Sequence, residues 1–104
     1  MASIKLYKVN QTSPFENELK SIYMYLAFKI KEPNIATKFV KNVLKTLYSL
    51  EYLPERYARI SNFNNKNRNL RRIFIDNYVI IYEVLNDTRR SCCITYFSFN
   101  SKLF

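Results

Sequence analysis

Residues 70–84 read Leu70-Arg71-Arg72-Ile73-Phe74-Ile75-Asp76-Asn77-Tyr78-Val79-Ile80-Ile81-Tyr82-Glu83-Val84. Two runs rich in β-branched and aromatic residues flank Asp76-Asn77, a pair suited to a tight turn. The pattern predicts two antiparallel strands with a pair of arginines at the start of the first. A third apolar run, Ser91 to Phe99, follows after a short polar break. The three predicted strands, about Leu70–Ile75, Tyr78–Leu85 and Ser91–Phe99, therefore form an antiparallel meander.

Upstream of this meander the apolar period changes from two to about 3.6. Ser13-Pro14-Phe15-Glu16 reads as a helix start, with Ser13 as N-cap, Pro14 at the first helical position and Glu16 closing a capping box. Phe15, Leu19, Ile22, Tyr23, Leu26 and Ile30 then recur at helical spacing. Met24, Tyr25 and Phe28 widen that stripe. They pack on both a sheet and a second helix, or they line a groove that a partner fills. Pro33 disfavours helical geometry at Glu32 and opens a second helix. Ile35, Phe39, Val43, Leu47 and Leu50 mark its buried face, widened by Ala36, Val40 and Leu44. Lys38, Lys41 and Lys45 line the opposite side, as a solvated face or a binding surface.

A short first strand is expected around Ile4, Leu6, Tyr7 and Val9. The expected fold is α+β in the order β-α-α-β-β-β, a small antiparallel sheet packed against an α-helical hairpin, with one sheet face at least partly open. The chain has 104 residues, which suits a single domain over 1–104. No apolar run approaches the ~20 residues that span a bilayer, and the N-terminus lacks a signal-peptide core. A soluble cytoplasmic protein is expected.

Composition excludes several kinds of chemistry. The chain has no histidine and no glycine. Without histidine, the usual base near neutral pH and the commonest zinc ligand are missing, so neither a metal site nor a cofactor is expected. Without glycine there is no phosphate-cradling loop of the P-loop or dinucleotide type. Positive φ must then fall to Asn or Asp; Asn62, Asn64, Asn65, Asn67, Asp76, Asn77, Asn86 and Asp87 stand where turns are wanted. Cys92 and Cys93 are adjacent. On a strand they face opposite sides, a poor geometry for a disulfide.

The formal charge is +9, from 17 Lys and Arg against 8 Asp and Glu. So large an excess attracts polyanions or an acidic protein. Candidate contacts are Arg56, Arg59, Arg68, Arg71, Arg72 and Lys102. Arg71 and Arg72 are strand neighbours facing opposite ways, so at most one serves an open sheet face. Tyr78 and Tyr82 share one strand face, as core residues or as stacking platforms.

Three blocks carry a family resemblance when taken in order. They are Ser21-Ile22-Tyr23-Met24-Tyr25-Leu26-Ala27, Leu50-Glu51-Tyr52-Leu53-Pro54-Glu55-Arg56, and Leu70-Arg71-Arg72-Ile73 leading into Asn77-Tyr78-Val79-Ile80-Ile81-Tyr82-Glu83-Val84. With them the chain resembles the RelE/ParE superfamily of toxins from type II toxin–antitoxin (plasmid-stabilisation, or addiction) modules. The resemblance implies a growth inhibitor neutralised by a cognate antitoxin, with Met24, Phe28, Phe97, Phe99 and Phe104 as candidate antitoxin contacts. It implies one of two targets: DNA gyrase for ParE-like members, which are not nucleases, or the ribosome and its mRNA for RelE-like endoribonucleases. Val79 stands where RelE-like members often carry arginine, and the ending Phe97 to Phe104 has one cation. Both departures favour the ParE-like branch. Outside the toxin readings stands a non-toxic basic module that binds nucleic acid.

Overall fold

The computed structural model describes residues 6–60, 68–85 and 91–99; at 96–99 it describes the backbone. The elements are β1 (Lys8–Gln11), α1 (Ser13–Met24) continued by a π-helical turn (Tyr25–Lys29), α2 (Pro33–Ser49), β2 (Leu70–Ile75), β3 (Tyr78–Leu85) and β4 (Ser91–Phe99). β2, β3 and β4 form the expected meander with the expected bounds. The sheet order is β1-β4-β3-β2. β1 runs parallel to β4, Lys8 beside Ser91 and Gln11 beside Ile94. The sheet is thus mixed, where an antiparallel one was expected. The cause is the helical hairpin, which forms a crossover and returns the chain with β1 and β4 pointing the same way.

The first strand also starts later than expected, at Lys8. Ile4 lies outside the described residues. Thr12, and not Ser13, is the N-cap of α1: its hydroxyl accepts from Phe15 N at 3.3 Å. The same hydroxyl donates to Thr95 O at 2.6 Å, and Thr12 N donates to Ile94 O at 3.1 Å. Thr95 is the extra residue of a β-bulge, because Ile81 faces Tyr96 while Tyr82 faces Ile94. Its own hydroxyl closes on Ile81 O at 2.7 Å. A threonine can cap the helix and hold the bulge at once; Ser13, one residue further on, already lies inside the helix.

The core lies between the helical hairpin and one face of the sheet. It joins Phe15 and Ile22 of α1, Phe39, Val43 and Leu47 of α2, and Leu50 just beyond, to Ile73, Ile75, Ile80, Tyr82, Val84, Cys92 and Ile94. Alternation along the strands puts Leu70, Val79 and Ile81 on the other face, where Ile60 covers them. Ile60 N donates to Leu70 O at 2.8 Å and Arg72 N to Ala58 O at 3.2 Å. The segment before β2 therefore folds back along its edge, which would otherwise expose unpaired backbone groups. The outer face, expected partly open, is closed at Val79 and Ile81. Cys92 is buried in the core and Cys93 half-buried on the other side, both as free thiols.

The hairpin tip departs most from simple periodicity. Ile30 N bonds to Tyr25 O, the i→i−5 spacing of a π turn, and Glu32 N to Leu26 O. Lys31 closes the turn at φ 64°, a conformation usually left to Gly or Asn. The π turn shifts the helical phase. Ala27 becomes buried while Ile30, at the next position of the α-helical stripe, turns to solvent. Ile35, expected in the core at the start of α2, is also exposed. Asp76 takes φ 53° in the β2–β3 turn, as a glycine-free chain requires. Asn62, Asn64, Asn65, Asn67, Asn86 and Asp87 lie outside the described residues.

Candidate functional site

The arginines expected at the β2 edge do gather there, but the structure gives them different work. Arg71 lies on the core-side face opposite Tyr82. Its Nη1 donates to Tyr57 O at 2.7 Å and Glu55 O at 3.2 Å, and its Nε to Asn69 Oδ1 at 3.0 Å. Its Nη2 reaches Glu55 Oε2 at 3.3 Å, and only 15% of the side chain is exposed. The fork thus ties β2 to the segment after α2. Tyr82 completes this clamp, its buried hydroxyl donating to Pro54 O at 2.7 Å. Burial raises its phenol further above the ordinary value.

Arg72 points to the other face, with its guanidinium 5.5 Å from the Phe74 ring centroid. Arg68 forms a two-pronged pair with Glu83, 3.0 Å to Oε2 and 2.9 Å to Oε1. Hydrogen bonding to Arg68 holds the Glu83 carboxyl below its usual range, despite partial burial. Arg59 is exposed and donates to Arg68 O at 3.1 Å. Arg56 is exposed, with its guanidinium 5.3 Å from the Tyr57 ring centroid. Lys102 lies outside the described residues. Arg71 is thus engaged as a clamp, as one of the two neighbouring arginines was expected to be, and Arg56 and Arg59 are the more accessible cations of this edge. Glu55, quoted above only within a family block, and Asn69 are partners absent from the candidate contacts. A signal was available for Asn69, which shares the strand face of Arg71 two residues on.

A second region lies at the hairpin tip. Met24, Tyr25, Phe28, Ile30 and Ile35 are all exposed, Phe28 by 67%. Beside them an open groove of about 540 Å³ is lined by Tyr25, Leu26, Ile35, Phe39 and Tyr78, with Lys38, Asn42, Asp76 and Asn77 as polar edges. Packing on sheet and helix does not account for Met24, Tyr25 and Phe28, since these three stand free of the core. Tyr78 is half-buried against Phe39, ring centroids 5.5 Å apart, so both strand tyrosines are packing residues. Phe97 and Phe99 sit in β4 opposite Ile80 and Tyr78 in register; their side chains, and Phe104, lie outside the described residues.

The resolved ionisations all move away from neutrality. Burial raises Tyr78 and pushes the Cys92 thiol up to about 11, while Glu83 is lowered. Among the described residues no three His, Cys, Asp or Glu side chains gather as metal ligands, and no helix is long and apolar enough to cross a membrane.

Among the solved structures of the same architecture are three from toxin–antitoxin systems. The chromosomal ParDE toxin–antitoxin system from P. aeruginosa superposes with TM-score 0.71 at 15% identity, covering 93% of this chain and 99% of that one. The archaeal RelE–RelB complex from Pyrococcus horikoshii OT3 gives 0.62 at 19% identity, covering 93% and 98%. The toxin–antitoxin complex RelBE2 from Mycobacterium tuberculosis gives 0.60 at 14%, covering 95% and 97%. A comparison with curated protein sequences finds no match. The family model for the ParE toxin of the type II toxin–antitoxin system parDE matches residues 9–91, from β1 to the start of β4. By that match, the chain belongs to the ParE toxin family of type II toxin–antitoxin systems.

Proposed function

We propose that this toxin arrests growth by inhibiting DNA gyrase in the cytoplasm, and that a cognate antitoxin neutralises it by seating an apolar segment in the hairpin-tip groove. The observation that supports a non-nuclease action is Val79. It is fully buried under Ile60 on the outer sheet face, where RelE-like relatives tend to place an arginine. RNA cleavage through the 2′-hydroxyl needs a proton acceptor and donor poised near neutral pH. Here Tyr82 is spent on Pro54 O, Glu83 on Arg68 and Arg71 on the 55–57 backbone. Tyr25 and Ile35, exposed on the groove, together with Met24, Phe28 and Ile30 exposed at the same hairpin tip, support the antitoxin seat, since exposed apolar side chains gathered near a groove mark a protein contact.

Growth assays test both halves. Induction of the chain alone arrests growth, and co-expression of the neighbouring gene product restores it. Phe28→Ser leaves arrest intact but weakens that rescue. Unimpaired growth on induction of soluble, folded protein overturns the toxin reading. The resemblance in fold to two RelE complexes keeps ribosome-dependent mRNA cleavage as the competing mechanism.

A further inference from the structure

The charge available to a polyanion is not where the arginine pair first suggests. Of the cations around β2, Arg68 is paired with Glu83, and Arg71 with Glu55 and two carbonyls, which leaves Arg56 and Arg59 as the accessible ones there. Helix α2 is the opposite case. From Pro33 to Ser49 it contains no carboxylate. Its three lysines, Lys38, Lys41 and Lys45, are exposed and form no ion pair with a described residue.

These lysines lie on one line. At about 100° and 1.5 Å per residue, Lys38, Lys41, Lys45 and Tyr48 fall within a sector of about 80° and a length of about 15 Å. Tyr52 follows in the turn past the helix end, its N bonded to Ser49 O. Tyr48 is 58% and Tyr52 62% exposed, and neither ring stacks on a described neighbour. A row of ammonium groups with no described ion-pair partner, leading to one exposed aromatic ring on the helix and a second in the turn beyond it, suits one ligand chemistry. Phosphates meet the lysines, and unstacked bases lie on the rings. An acidic polypeptide would use the lysines and leave the rings idle.

We propose that the outer face of α2 binds a single-stranded polynucleotide, with Lys38, Lys41 and Lys45 on phosphates and Tyr48 and Tyr52 under bases. This surface is independent of the gyrase and antitoxin assignments; only Lys38 also borders the hairpin groove.

Fluorescence anisotropy with a labelled oligothymidylate of about 12 nucleotides and the full chain tests it. Three phosphate contacts give a plot of log affinity against log salt with a slope of about −2. The triple variant Lys38→Gln/Lys41→Gln/Lys45→Gln flattens that slope and weakens binding at least ~tenfold at ~0.1 M salt. Tyr48→Ala/Tyr52→Ala weakens binding roughly tenfold without changing the slope. All five positions are exposed, so thermal melts of these variants stay near wild type. The proposal is overturned if binding is absent, or if it survives the triple lysine variant. A loss on Arg56→Gln/Arg59→Gln instead, or equal competition by polyglutamate with no effect of the tyrosine variant, overturns it as well.

Discussion

Arg71→Ala separates a structural arginine from a target-binding one. The substitution removes four hydrogen bonds from a side chain that is only 15% exposed. The ion pair to Glu55 contributes little, because that carboxylate is half exposed and a surface pair is worth ~0–1 kcal/mol. The main loss is at the carbonyls of Glu55 and Tyr57 and at Asn69. Net values of ~1.5 kcal/mol or more per charged hydrogen bond apply there, offset in part by water reaching the freed groups. A total of about 3 kcal/mol follows. For a domain of this length, about 4 °C of melting temperature is lost per kcal/mol, so Arg71→Ala should melt roughly 12 °C lower. Arg71→Lys keeps the charge but cannot span the same acceptors, and should recover less than half of the loss. Circular-dichroism melts of the three proteins give the answer, with exposed Arg56→Ala as a control within ~0.5 kcal/mol of wild type. A melting point for Arg71→Ala within about 2 °C of wild type, with toxicity lost, would refute the clamp.

Four further outcomes follow from particular contacts. Thr12→Ala removes the α1 cap and the bond to the Thr95 bulge and should cost about 1–2 kcal/mol in urea unfolding, while Thr12→Ser keeps most of it. Lys31→Gly relieves a left-handed residue at ~1–2 kcal/mol but adds unfolded-state freedom, so a net gain of ~0.5 kcal/mol is expected by the same measurement. Glu83 is depressed by Arg68, so its contribution is present above the ordinary carboxylate range and fades as pH falls through its lowered folded-state value. Unfolding followed from pH 7 down to about 3 should therefore show a shallower acid loss for Glu83→Gln than for wild type. Ile35→Ser at the groove should leave the melting point nearly unchanged and reduce antitoxin affinity in a pull-down or calorimetric titration.

How much of this was legible in the sequence depended on whether the deciding interaction is local. The bounds of β2, β3 and β4 follow from alternation and from turns that need Asp or Asn, all short-range signals. β1 was harder. Lys8-Val9-Asn10-Gln11 carries one apolar residue, and nothing near it states that its partner is β4, some 83 residues away. The helix faces were readable up to the π turn, whose phase shift put Ala27 inside and Ile30 outside. Arg71 was visible as a cation with Asn69 two residues before it, but its carbonyl acceptors lie 14 and 16 residues back in sequence, so its work as a clamp was not. The lysine row on α2 reads as an ordinary solvated face until the ion pairs elsewhere show which cations remain available.

Gyrase inhibition and mRNA cleavage are separated by one paired experiment. The purified chain is added to a gyrase supercoiling reaction and, in parallel, to a reconstituted translation reaction in which mRNA ends are mapped. Supercoiling is expected to stop, purified antitoxin to restore it, and the mRNA to stay intact. Cuts at the ribosomal A site with gyrase unaffected would contradict the proposed gyrase inhibition.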